Sequence, residues 1–341
     1  MLGNTWSIAL LICTSATLFL IGLASITAVK ILFHWDPDSD SEYQIDLEGR
    51  TWLASALVES ALAVQLLSLF LLVLAATDFS EMIAGAMCAT GSFLANEYGP
   101  KSLYVKIAGL FFYGLWIVLH RLDLRSEFSP LIRIKFIYLL FLLPFLFFDS
   151  YYLINYLYNL EPDIITSCCG VIFSDKAIRT NFLLMDLSTE MVVGGFYFFA
   201  VVVVVLGWIL SRRIVSENSV SLLWNIVYGF SVAVFFLLAL VTVTIYFSSY
   251  IYAMPYHNCP FDILYKEYNY IGYPIYAALF SASFLGITSA AVAPFYQKPG
   301  LAVPLRKYQQ FAMSKASILV IIYVVLVTFP VLRYFISGGE V

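Results

Sequence analysis

The side chains with the most reactive chemistry concentrate in a few short stretches of the chain. One carries the vicinal pair Cys168 and Cys169; another, AMPYHNCPFDILYKEYNY, places Met254, His257 and Cys259 within six residues. Thioether, imidazole and thiolate are soft ligands and suit Cu(I) or Zn(II). A His-x-Cys pair sets both side chains on one side of an extended segment. Cys88 lies in a third stretch and completes a candidate set of Cys88, Cys168, Cys169, His257 and Cys259. Oxidation competes with metal binding, because four cysteines in an oxidising compartment can close two disulfides. A bond between the adjacent Cys168 and Cys169 would be strained, so at least one of them pairs elsewhere if disulfides form. No standard zinc spacing is present, so zinc, copper, disulfide and free thiol all remain open.

A second group of candidates is acidic and lies within apolar runs: Glu59, Asp149, Asp186 and Glu190. An ionisable group inside a membrane span is costly and marks a functional site by default. Asp186 and Glu190 sit one helical turn apart, where two carboxylates repel and one tends to hold a proton. Glu59, Asp149 and Glu190 are expected to converge toward a bundle interior, as a proton or cation path or as a structural network. Lys30 and Lys106 are the candidate charge partners. The acidic stretch WDPDSDSEYQIDLE begins like a calcium loop, but Ser41 and Leu47 stand where glycine and glutamate are required.

These residues must be positioned by membrane helices. Of 341 residues, 62% are hydrophobic and 12% charged, against about half and a quarter in soluble domains. The apolar residues form runs of about 20, the length that crosses a hydrocarbon core, and in lipid such runs must be helical. The runs are Ser7–Phe33, Trp52–Ala76, Ser102–His120, Phe136–Tyr158, Leu183–Leu210, Leu222–Tyr250, Tyr270–Phe295 and Phe311–Ile336. The reading is an all-α polytopic bundle of about eight spans, a single integral membrane domain over 1–341, with one short membrane-embedded or re-entrant segment, Phe79–Ala95. The first run has no positive n-region and is too long for a signal peptide, so it reads as an uncleaved span.

Lys and Arg set the orientation. Arg121, Arg125, Arg133, Lys135, Arg212, Arg213, Lys298, Arg306, Lys307 and Lys315 fall in or beside three alternate connections. Those three connections face the cytoplasm, in a plasma or inner membrane, and the cysteine-bearing loops face the other side. If Phe79–Ala95 crosses, the acidic loop His34–Arg50 lies outside and Glu59 occupies the outer half of the bilayer. If it does not, the first two spans invert and everything after Lys101 stays in place.

Several functions lack their residues. There is no Cys-x-x-Cys-His, so no c-type haem motif. No phosphate loop, nucleotide fingerprint or basic block appears, which argues against an ATP-driven pump or a nucleic-acid partner. The expected partners are the lipid bilayer and other membrane or extracytoplasmic redox proteins; copper or zinc is the candidate cofactor. Three readings follow. The first is a soft-metal or thiol site that serves or anchors an extracytoplasmic redox protein. The second is a proton-coupled transporter using the intramembrane carboxylates. The third is a quinol-facing or anchoring subunit of an electron-transfer complex.

Overall fold

The structure, a computed structural model, describes residues 2–36, 41–126, 129–161, 188–216, 221–254 and 257–338. Among the described residues there is no strand. The main elements are α1 (Thr5–His34), α2 (Glu42–Ser80), α3 (Ala89–Leu94), α4 (Tyr98–Asp123), α5 (Ile132–Tyr158), α6 (Thr189–Ser216), α7 (Leu222–Thr242), α8 (Gly272–Ala291) and α9 (Ala302–Ile336). α7 runs on through one π-helical turn, Val243–Phe247, to Tyr252. Eight of these helices are long and apolar enough to cross a membrane. They also present large apolar side chains outward, Phe19, Phe70, Phe141, Phe198, Phe230 and Phe329 among them. A water-facing surface would not carry so much apolar area; the chain is an integral multi-pass membrane protein.

The segment after α2 does not cross. α2 continues to Ser80, turns follow, and α3 has only 6 residues. At 1.5 Å per residue α3 is about 9 Å long, against about 30 Å of hydrocarbon. The eight-span arrangement therefore holds, with the first two spans in the inverted sense. The contacts agree: the Arg133 guanidinium, at the start of α5, donates to the Trp35 carbonyl just after α1. The acidic loop and the connection between α4 and α5 thus share one face, the second of the two arrangements that the sequence allows.

The chain packs as two compact units. The first holds α1, α2, α4 and α5, which close a ring because α1 meets α2 and α5 while α4 meets α2 and α5. Ser41 caps α2 by accepting from the Gln44 N–H, and Asn4 caps α1 by accepting from the Trp6 N–H. Thr17 Oγ1 donates to the Ala61 carbonyl at 3.3 Å and fixes the register of α1 against α2. Ile21, Val58, Leu62, Trp116, Phe136 and Leu142 form part of its apolar core.

The second unit holds α6, α7, α8, most of α9, and residues 85–91. Phe196, Phe235, Phe247 and Tyr323 make its aromatic centre. Gln309 on α9 donates both to Asn225 Oδ1 on α7 (3.1 Å) and to the Ser289 carbonyl on α8 (2.9 Å). These bonds pin three helices at one level.

Candidate functional site

Cys88 and Cys259 belong to the second unit and their sulfurs lie 3.3 Å apart. Both are buried, and no disulfide joins them. The Thr90 hydroxyl is 3.3 Å from Cys259 Sγ, and the Phe261 N–H donates to the same sulfur at 3.4 Å. A third side chain converges with them. One carboxylate oxygen of Asp262 and the two sulfurs all lie within 4.8 Å of one another.

Local structure explains the convergence. α7 ends at Ala253 in the left-handed region (φ 52°) and the chain turns back. The Tyr252 hydroxyl donates to the Cys259 carbonyl and accepts from the Ile263 N–H at 3.0 Å. The Tyr276 hydroxyl, from α8, donates to the Pro260 carbonyl at 2.6 Å. Two tyrosines thus clamp the 259–263 backbone from the helices on either side of the loop. Asp262 opens a 3₁₀ turn, Asp262–Leu264, and Gly272 lets that turn approach α8 closely: a Cβ there would lie 2.9 Å from the Ile263 backbone.

His257 Nε2 is 2.5 Å from Asp262 Oδ2. The imidazole therefore holds the carboxylate, and its nitrogens are not among the ligand atoms that converge with the sulfurs. Asp262 Oδ1 is buried and accepts no hydrogen bond. A buried oxygen with no donor is costly, and a carboxylate that carries one beside two sulfurs is suited to a cation. The hydrogen bond from Cys259 is the largest influence on Cys88 and brings its thiol down from 9.0 to about 7. Burial pushes the Cys259 thiol well up. One thiolate is thus available near neutral pH and the second forms only when a cation replaces its proton.

The other expected site residues fall as follows. Cys168, Cys169 and Asp186 lie outside the described residues. Glu190 sits in the first turn of α6 and is exposed, so it is not deep in a span; a carboxylate there complements the helix dipole. Glu59 does not approach Asp149. Its Oε1 is 2.6 Å from Arg121 Nη2 and its Oε2 is 3.7 Å from His120 Nε2. Lys30 is exposed, in a shallow depression with Tyr43, Asp46, Leu47 and Arg50. Lys106 does pair with Asp149, Nζ to Oδ1 at 3.2 Å. His120, at the end of α4, is buried; it stacks on Trp116 and lies 3.3 Å from Lys135 Nζ.

Sequence reasoning passed over Asp262, which stands only three residues after Cys259. The signal was visible, but a search for soft ligands discounts a carboxylate. It also passed over Gln65 and Ser68, polar residues in an apolar run that turn out to be buried. Comparison with known protein families, curated proteins and solved structures gave no match. Fold and cluster together define the class: a multi-pass α-helical membrane protein with a thiol–carboxylate cluster in the connections between its spans.

Proposed function

We propose that the protein binds a borderline or soft transition metal through Cys88, Cys259 and Asp262, with His257 orienting the carboxylate. Support comes chiefly from the Asp262 carboxylate, which has a buried oxygen without a hydrogen-bond donor and places an oxygen within 4.8 Å of two sulfurs that already touch. At zinc–sulfur distances of about 2.3 Å, two sulfurs on one tetrahedral ion stand about 3.8 Å apart. The observed 3.3 Å needs only a small opening. The carboxylate favours Zn(II), since Cu(I) prefers an all-soft set. Carboxylates that ligate metals are themselves held by outer hydrogen bonds, the role His257 would fill here. By the distribution of Lys and Arg, the loop carrying Cys259 faces away from the cytoplasm. Such a site would serve an extracytoplasmic redox or metal-handling partner.

Metal analysis of the purified full-length protein, with thiol counting before and after reduction, tests this. About one metal per chain is expected, lost in Cys88→Ser and Cys259→Ser. The reading fails if metal content is unchanged in both variants. It also fails if the native protein carries a Cys88–Cys259 disulfide and no metal.

A further inference from the structure

The interior of the first unit holds a polar layer that the metal site does not use. Asp149 on α5 is fully buried. Its Oδ2 accepts from Gln65 Nε2 on α2 (2.6 Å) and from the Tyr113 hydroxyl on α4 (3.1 Å). Its Oδ1 is 3.2 Å from Lys106 Nζ but accepts no hydrogen bond. Lys106 instead donates to Ser68 Oγ at 2.8 Å.

A pair that served only to hold helices together should satisfy all its members, since apolar side chains would serve as well or better. This one does not. Gln65 Oε1 and Ser102 Oγ, on side chains buried almost completely, have no hydrogen-bond partner. Thr14 Oγ1 is also buried without one. The α1–α2 register set by Thr17 and Ala61 puts Thr14 about level with Gln65. Four helices therefore contribute oxygens to one layer, several of them unused.

We propose that Asp149 anchors a binding site for a small, hard monovalent cation such as Na⁺, and that Lys106 is its built-in competitor. Every candidate ligand atom is an oxygen: carboxylate, amide carbonyl or hydroxyl. Such a set selects hard cations over transition metals. The layer has one carboxylate, Asp149, so a single positive charge balances it. Lys106 supplies that charge in the structure described. Its flexible stem lets the ammonium swing past Ser102, one turn nearer the start of α4, which carries its charge out of the layer toward the membrane face and leaves Asp149 Oδ1 to the ion. Gln65 Oε1, on the amide whose Nε2 already bonds Asp149, is the next ligand.

The test is thermal unfolding of the full-length protein in detergent, in sodium chloride against choline chloride at equal ionic strength. Sodium should raise the midpoint saturably, by about 2–4 °C. Asp149→Asn should abolish the rise. Lys106→Gln removes the competitor, so it should be unstable in choline and recover in sodium, with half-maximal effect at about a tenfold lower concentration than wild type. Should Asp149→Asn fail to fold, Gln65→Leu should raise the half-maximal sodium concentration about tenfold. The proposal is overturned if neither wild type nor Lys106→Gln responds to sodium. It is overturned too if Lys106→Gln recovers only on acidification, or if the sodium effect survives in Asp149→Asn.

Discussion

His257 Nε2 meets Asp262 Oδ2 at 2.5 Å, and an oxygen of the same carboxylate lies within 4.8 Å of the sulfurs of Cys88 and Cys259. The histidine thus acts on the cluster through the carboxylate. The proposed zinc site then grades its residues: Cys88, Cys259 and Asp262 bind, and His257 positions. Asp262→Ala should abolish stoichiometric zinc. His257→Gln should keep the metal but weaken it about 10–100-fold, as outer partners do. Competition against a chelator of known affinity measures the difference. Equal loss in both variants would instead make His257 a direct ligand.

The same site should make stability depend on pH. The Cys88 thiol is lowered from 9.0 to about 7 by the hydrogen bond from Cys259. Well below about 7 both folded and unfolded chains hold this proton. Between about 7 and 9 the folded chain has released it and the unfolded chain has not, so stability rises with pH. The gain is lost as pH falls back through about 7. Cys259 shifts the opposite way and opposes the trend only above the ordinary thiol value. Metal-free, reduced protein should gain on the order of 1–2 kcal/mol from pH 6.5 to 8.5. Cys88→Ser should flatten that slope in thermal scans; an unchanged slope would remove Cys88 as its source.

Topology can be checked by labelling. α2 has 39 residues and is about 58 Å long, so it must pass through the bilayer. Arg133 binds the Trp35 carbonyl, which places the start of α2 on the face of the α4–α5 connection. In a background without native cysteines, Glu42→Cys and Leu124→Cys should react with an impermeant thiol reagent from the same side. Glu81→Cys should react from the other. Labelling of Glu42→Cys and Glu81→Cys from one side would refute the eight-span arrangement.

The spans were legible because an apolar run of about 20 residues is stable chiefly as a helix across a bilayer, and the eight helices match the eight runs. The meeting of Cys88 with Cys259 was legible only as a common side of the membrane. Their separation of 171 positions leaves no periodicity to read. The carboxylates mark the limit of what an apolar run reveals. Asp149 was expected to have Lys106 among its candidate partners, and the two pair. The depth of Glu59 depends on whether Phe79–Ala95 crosses, which hydropathy leaves open; its contacts are with Arg121 and His120 at the end of α4. Glu190 lost its depth because α6 begins at Thr189, six residues after the apolar run does. Hydropathy locates an apolar run but not the residue at which its helix starts.

Two ion pairs near the α4–α5 corner separate burial from mere proximity. Lys135 Nζ and Asp123 Oδ2 are 2.9 Å apart, with side chains only 4% and 1% exposed. Asp123 Oδ1 also accepts the Leu131 N–H at 2.9 Å, and Trp116 Nε1 donates to the Lys135 carbonyl at 2.9 Å. Removing Asp123 strands both the Lys135 ammonium and a backbone N–H. Asp123→Ala should therefore cost about 3–5 kcal/mol. Arg121 and Glu59 come closer, 2.6 Å, but their side chains are 64% and 22% exposed. That pair is screened, and Arg121→Gln should cost about 0–1 kcal/mol. Thermal or denaturant unfolding of both variants in one detergent compares them directly. If Arg121→Gln proves as damaging as Asp123→Ala, Glu59 has a role beyond a surface ion pair, and its contact with His120 becomes the place to look.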